Sequence, residues 1–318
     1  MTSVGRKLPL NFMRSEIPTP TDVKKDENPL GLIGRFCGPR DRYELKELVT
    51  EMPKVQIYNA HDDKLDREVT LKIFASGEDR LAQEQMKIFA SFQHPSVSPL
   101  LDATKIDDRH VHVLRRVEGY RLNELINDET GLVAEEIFNF IPQLLDVLIT
   151  LHDLEYLHLG LDPASVLLSD GWNTGYRYMI SNFTNACKMD EKGAWSKPQP
   201  GMFRDCFSHS APEVLNGGTA DVRSDLFSLG SVIYQSFCGK AAYQGDSPIE
   251  ISSSHQKDKP DHLGYCRPEI PVELADWVMS LIAIEPKDRP ATALDALKAF
   301  TEMTEPIAEE MSESSRVA

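Results

Sequence analysis

The sequence predicts an α+β fold, with strands early in the chain and helices after them. Alternating or short apolar runs at 43–60, 68–74 and 111–114 are typical of β-strands. Apolar residues recur at the spacing of one helix face over 78–92 and, more densely, over 134–157. This order separates a small strand-rich part from a larger helical part.

Two flanking segments show neither period. Residues 1–42 contain scattered prolines, glycines and charges, which predicts an extended arm. Residues 304–318 are acidic and rich in serine, which predicts a disordered tail. The predicted folded domain therefore occupies residues 43–303.

Composition excludes several classes of function. The formal net charge of −16, with no basic stripe, argues against nucleic-acid binding. The sequence has no apolar run of eighteen residues, so we expect no membrane span. The five cysteines are scattered without metal-ligand spacing, which argues against a zinc site and favours free thiols in the cytoplasm.

The segment 158–168 reads His-Leu-Gly-Leu-Asp-Pro-Ala-Ser-Val-Leu-Leu. It resembles the catalytic loop of protein kinases, where the pattern is His-Arg-Asp-Leu-Lys-Pro-x-Asn followed by apolar residues. Gly160 stands where the family has its catalytic Asp, and Asp162 stands where it has Lys. Ser165 stands where the family has a metal-binding Asn.

Other segments resemble the same family in the same order. Asn182-Phe183-Thr184 falls at the Asp-Phe-Gly motif, so Asn182 replaces a metal-binding Asp. Segments 210–215, 224–234 and 284–292 resemble the Ala-Pro-Glu motif, the start of the following helix and the last family signature. The resemblance covers residues 43–303 and is nearest to bacterial-type Ser/Thr kinases.

In the strand-rich part, Lys72 resembles the lysine that holds the α and β phosphates of ATP. Gln85 falls where the family has the glutamate that pairs with this lysine, and Glu84 is one residue away. The connection 49–54 falls at the phosphate-binding loop but contains no glycine. The resemblance also implies a nucleotide pocket lined by Leu114, Val117 and Leu167.

The resemblance implies a two-lobed fold, with a β-rich N-lobe at about 43–117 and a larger helical C-lobe at about 118–303. It also implies that one set of retained residues holds the C-lobe together, including a buried salt bridge between Arg289 and Glu213. That set is His158, Phe183, Glu213, Asp225 and Arg289.

The replaced residues Gly160, Asp162, Ser165 and Asn182 predict a catalytically inactive protein, without catalytic residues or a metal site. Such a protein would act by binding other proteins, as a scaffold or as an allosteric regulator of an active kinase or another enzyme. Two alternatives depend on Lys72: a nucleotide-binding sensor, and a weak or atypical ATP-dependent phosphotransferase. No cofactor is predicted, and ATP is the one ligand left open.

Overall fold

The computed structural model describes residues 31–126, 131–169, 178–189, 207–257 and 259–317. The predicted α+β fold of two lobes is confirmed: an antiparallel sheet forms the N-lobe, and helices dominate the C-lobe.

The N-lobe sheet has six strands in the order β1-β2-β3-β4-β6-β5. Side chains alternate between the two faces of each strand, and one set is buried in the apolar core of the N-lobe. Tyr58 and Ala60 on β3 belong to this buried set. The strands are β1 (Phe36–Cys37), β2 (Tyr43–Met52), β3 (Val55–Asp62), β4 (Arg67–Phe74), β5 (Leu100–Ile106) and β6 (Arg109–Arg115).

The first described residues belong to this sheet rather than to a separate arm. β1 pairs with β2, and Leu32 and Cys37 are buried in the sheet's core. The rest of the predicted arm, residues 1–30, lies outside the described residues. The N-lobe sheet therefore begins upstream of residue 43.

Helix α1 (Asp79–Ser91) packs against the sheet through Ala82, Gln85 and Ile88. Their spacing of three residues places them on one face of the helix, which is the face that turns towards β6. A glutamine thus occupies a core-facing position in an otherwise apolar contact.

The C-lobe is built around α3 (Ala134–Asp153) and α5 (Val222–Cys238), which contact each other. Asp221 caps the start of α5, and Gly239 ends it in the left-handed conformation at φ +75°. The remaining helices are α2 (Leu122–Leu125), α4 (Pro212–Leu215), α6 (Pro248–Lys257), α7 (Leu263–Cys266), α8 (Val272–Leu281) and α9 (Ala293–Val317). Short strands complete the lobe: β7 (Gly119–Arg121), β8 (Tyr156–Leu157), β9 (Val166–Ser169), β10 (Tyr178–Ile180) and β11 (Cys187–Lys188).

Helix α9 continues to Val317, whereas a disordered tail had been predicted from residue 304. The tail is acidic and rich in serine, but it also contains alanine, methionine and glutamate, which favour helix. Continuation from an established helix costs no new nucleation, although Pro306 lies within α9 and removes one backbone N–H donor. No helix in the described ranges combines the length and apolar content that a membrane crossing requires.

Asp225 on α5 fixes the backbone that enters the segment 158–168. Its carboxylate is fully buried and accepts hydrogen bonds from the backbone N–H groups of His158 and Leu159, both at 2.8 Å. The His152 ring lies 3.0 Å from the same carboxylate. Burial alone would raise the pKa of Asp225, but the imidazole and backbone donors outweigh it and lower the pKa.

Arg289 joins the end of the C-lobe to α4. Its guanidinium donates to the two carboxylate oxygens of Glu213 at 2.8 and 2.9 Å, and its side chain is fully buried. The remaining N–H groups donate to three backbone carbonyls, those of Arg223, Ala283 and Ile284. The charge is therefore paired and its donors are used, as burial of a guanidinium requires.

We expect Arg289→Ala to lower the free energy of unfolding by about 3–5 kcal/mol, because it leaves the Glu213 carboxylate buried without its partner. Urea denaturation would measure the change. Arg80→Ala is the matched control, since Arg80 pairs with Glu84 on an exposed surface and should cost below about 0.5 kcal/mol. Equal changes in the free energy of unfolding for the two substitutions would contradict a stabilising role for the buried salt bridge between Arg289 and Glu213.

Candidate functional site

Lys72 lies on β4, facing the C-lobe across the cleft between the lobes. Its register partners are Ile57 on β3 and His112 on β6, and only 3% of the residue is exposed. The amine donates a hydrogen bond to the Thr184 hydroxyl at 3.0 Å and lies 5.6 Å from the centre of the Phe74 ring. One hydrogen bond thus links the N-lobe sheet to the turn at 182–185.

No carboxylate among the described residues lies within ion-pair distance of the Lys72 amine. Burial removes water from the charged form without a compensating anion, and it lowers the pKa of Lys72 to about 7. The amine is therefore charged in mildly acidic solution and largely neutral in mildly basic solution.

Helix α1 carries an amide on its buried face, at the position where the resemblance implies a glutamate. Gln85 is buried, and neither its amide nitrogen nor its amide oxygen has a hydrogen-bond partner in the described part of the chain. Glu84 turns outward and pairs with Arg80 at 2.7 Å. A step of one residue along a helix rotates the side chain by about 100°, which explains why Glu84 cannot serve in place of Gln85.

The turn at 182–185 is held by side chains on both of its faces. Asn182 adopts the left-handed backbone conformation, with φ 62° and ψ 61°, and its side-chain amide oxygen Oδ1 accepts a hydrogen bond from the Thr184 hydroxyl at 2.6 Å. Phe183 is buried between the rings of Phe89, Phe92 and His158, whose centres lie 5.7, 5.8 and 4.9 Å away. Aromatic packing of this kind fixes the position of the turn.

The segment 158–168 forms a capped turn where it passes the cleft. Asp162 Oδ1 accepts the Ser165 backbone N–H at 2.7 Å. In return, the Ser165 hydroxyl accepts the Asp162 N–H at 2.9 Å and donates to the Asp162 carbonyl at 2.7 Å. Asp162 and Ser165 thus stabilise the 3₁₀ turn Pro163–Ser165 together.

The oxygens at the family's metal-binding positions do not fit Mg²⁺. Ser165 and Asn182 offer neutral oxygens only, and both are engaged in hydrogen bonds within the protein. Mg²⁺ is reluctant to lose water and is usually held through carboxylates. No cluster of three or more potential metal ligands occurs among the described residues.

The nucleotide-pocket residues implied by the resemblance lie near the junction of the lobes. Leu114 is near the end of β6 opposite Thr70, and Val117 follows it before β7. Leu167 lies on β9, which pairs with β7. All three are partly exposed, so they can line a cleft.

The connection at the phosphate-loop position is a tight hairpin. Met52 pairs with Val55, which leaves only Pro53 and Lys54 in the turn. Proline has no N–H to offer a phosphate. Of the two residues in the turn, only Lys54 has a backbone N–H.

The roles of Thr184 and Asn185 could not be identified from the sequence, because they depend on tertiary contacts. Thr184 is the hydrogen-bond partner of Lys72, although 112 residues separate them in the chain. Asn185 packs against Gly160: a Cβ atom added there would lie 3.0 Å from the Asn185 amide nitrogen. Asn185 also donates to the Leu159 carbonyl at 3.5 Å.

We expect Gly160→Asp to destabilise the protein by about 1–3 kcal/mol, because the new side chain meets Asn185 at close range. In the double variant with Asn185→Ala, about 1 kcal/mol or more of that loss should be recovered. A thermodynamic cycle with Asn185→Ala alone as the control would measure the coupling. Strict additivity of the two substitutions would show that Asn185 does not limit this position.

The chain is similar to several bacterial proteins. It is 26% identical to a probable serine/threonine-protein kinase of Clostridium perfringens, over 84% of this chain and 38% of that protein. It is 24% identical to a probable serine/threonine-protein kinase PknB of Lactococcus lactis, over 78% of this chain and 40% of that protein. It is also 24% identical to the serine/threonine-protein kinase PrkC of Bacillus subtilis, over 83% of this chain and 40% of that protein. The chain thus spans about two fifths of the length of these relatives.

These relatives correct the functional prediction made from the sequence. A catalytically inactive scaffold or regulator, and no enzyme, had been predicted from replacements such as Gly160, Ser165 and Asn182. The relatives instead carry the names of serine/threonine-protein kinases, which points to an enzyme, and the prediction is wrong.

The family model described as the protein kinase domain matches residues 54–300. The match spans both lobes, including β4 with Lys72, the segment 158–168 and the pair formed by Glu213 and Arg289. The chain belongs to the protein kinase domain family.

Proposed function

We propose that the chain is an ATP-dependent phosphotransferase that acts on serine or threonine hydroxyls of proteins, as the names of its relatives indicate for them. The observation that supports this most is the Lys72 amine, buried in the cleft with one neutral hydrogen-bond partner. The proposal is made for this chain alone, which spans about two fifths of the relatives' length.

Lys72 has the chemistry that phosphate binding needs. Transfer of a phosphoryl group depends mainly on positioning and on stabilising charge, with little covalent chemistry left to the protein. A cation in a site shielded from water interacts more strongly with a phosphate than one on the surface. Because no described carboxylate neutralises the amine, its charge is available to a bound nucleotide.

The adenine would lie between the lobes, against Leu114, Val117 and Leu167. These side chains are apolar and partly exposed, as an aromatic base requires of its surroundings. The phosphates would then extend towards Lys72 on the neighbouring strand β4.

In the proposed transfer, the acceptor hydroxyl oxygen bonds to the γ-phosphorus, the bond from that phosphorus to the β–γ bridging oxygen breaks to release ADP, and the hydroxyl proton passes to solvent water. We assign no step to a protein-held metal ion, because the oxygens of Ser165 and Asn182 do not fit one. We also assign Asp162 a structural part, since its Oδ1 caps the turn that follows it. The geometry supports catalysis by positioning and by the charge of Lys72.

The direct test is transfer of labelled γ-phosphate from ATP to a protein substrate rich in serine. A basic substrate is chosen because its positive charge complements the formal net charge of −16 of this chain. We expect transfer by the wild type and its loss in Lys72→Met. Lys298→Met is the matched control, because Lys298 is exposed on α9. Absence of transfer by the wild type, or equal transfer by Lys72→Met, would contradict the proposal.

ATP binding should depend little on divalent cations, because the protein offers them no fitting ligands. Thermal unfolding with ATP, with and without Mg²⁺, measures this. ATP at 100 times its dissociation constant should stabilise the fold by about 2.7 kcal/mol in both cases. Stabilisation that appears only with Mg²⁺ would refute the interpretation of Ser165 and Asn182.

ATP affinity should weaken as the pH rises above about 7, by up to tenfold per pH unit. The sign follows from the lowered pKa of Lys72: above it the free amine is neutral, so binding must be coupled to uptake of a proton. Calorimetric titration across this range measures the slope. Lys72→Met should remove the slope, and a wild-type affinity that does not change with pH would contradict the lowered pKa of Lys72.

A further inference from the structure

We propose that Thr184 is the positioning residue for Lys72, in the place where a charged partner would otherwise hold the amine. The Thr184 hydroxyl oxygen lies 3.0 Å from the Lys72 amine. This contact orients the Lys72 amine before any ligand binds. Its consequence for nucleotide binding rests on the function proposed above.

The direction of the hydrogen bonds makes Thr184 an acceptor for the amine. A hydroxyl has one proton and two lone pairs. The proton is donated to the side-chain amide oxygen Oδ1 of Asn182 at 2.6 Å, which leaves a lone pair on the hydroxyl oxygen for Lys72. Asn182 can adopt the left-handed backbone conformation that this arrangement uses, since asparagine tolerates it better than most residues.

Thr184 is the one hydrogen-bond acceptor of the Lys72 amine among the described residues. Ile57 on β3 is apolar, and Gln85 on α1 makes no hydrogen bond. His112 on β6 has its pKa lowered to about 4, first by burial and then by Lys72 itself, so its ring is neutral. His158 on the catalytic loop is buried, which likewise lowers its pKa.

The contact also orients the amine. An ammonium group has three N–H donors, and one of them is directed to Thr184. The other two remain for phosphate oxygens. Because Thr184 belongs to the C-lobe and Lys72 to the N-lobe, the same bond sets the distance between the lobes at the phosphate site.

The first experiment follows the Lys72 amine itself by NMR of lysine labelled at Cε, assigned by the signal that Lys72→Arg removes. Thr184→Val keeps the shape of the side chain and deletes the hydroxyl. We expect the titration midpoint of Lys72 to fall by about one pH unit, because the charged amine loses its acceptor. Thr184→Ser should restore the wild-type midpoint.

Thr301→Val is the matched control, since it deletes an exposed hydroxyl on α9 that donates within its own helix. Thr184→Ala replaces Thr184→Val if the latter fails to fold. A Lys72 titration midpoint that is unchanged in whichever of these two variants folds would overturn the proposal.

The second experiment measures ATP binding by the same variants. Thr184→Val should weaken ATP binding about tenfold, with Thr184→Ser and Thr301→Val close to the wild type. If the Lys72 midpoint falls but ATP affinity stays unchanged, the contact exists without positioning the amine for nucleotide, and the positioning role is overturned. If the wild type binds no ATP, the proposed function fails, while the NMR titration still decides the contact.

Discussion

The buried carboxylate of Asp225 is the constraint on which the rest of the site depends. It accepts the backbone N–H groups of His158 and Leu159, and Leu159 is thereby held at φ +52°, in the left-handed region that leucine rarely adopts. Strain of this kind costs about 1–3 kcal/mol and persists only where the surroundings fix the backbone. Through this anchor, helix α5 positions the segment 158–168 under the cleft.

Above that anchor, the cleft is a region of neutral polar groups around one amine. Gln85, Thr184 and Asn182 are neutral, and His112 is kept neutral by burial. A bound polyphosphate would therefore meet the Lys72 amine, which no described carboxylate neutralises. In this account, the strength of nucleotide binding depends on the protonation of Lys72, and the geometry of the cleft depends on its hydrogen bond to Thr184.

The helices and strands of the domain could be predicted from the sequence more fully than the contacts of the candidate site. Strand alternation and helix periodicity identified β3, β4, α1 and α3, because local patterns are sufficient for elements with one buried face. The sequence aligned Gln85 and Glu84 with a family motif but did not show which of the two side chains is buried. The packing of α1 shows that Gln85 is the buried one. Thr184 and Asn185 could not be identified, since their partners lie far away in the chain or across a turn. The prediction of an inactive protein is wrong for another reason. It depended on replaced residues at single positions, whereas the relatives that match most of the chain are named kinases.

The most direct measurement is the number of protons taken up when ATP binds at a pH about one unit above 7. Calorimetry in buffers of different ionisation enthalpy gives this number. The account predicts uptake of nearly one proton per ATP by the wild type, because the neutral Lys72 amine must be charged to hold the phosphates. It predicts none for Lys72→Met. Binding without proton uptake by the wild type, or no binding at all, would contradict the account.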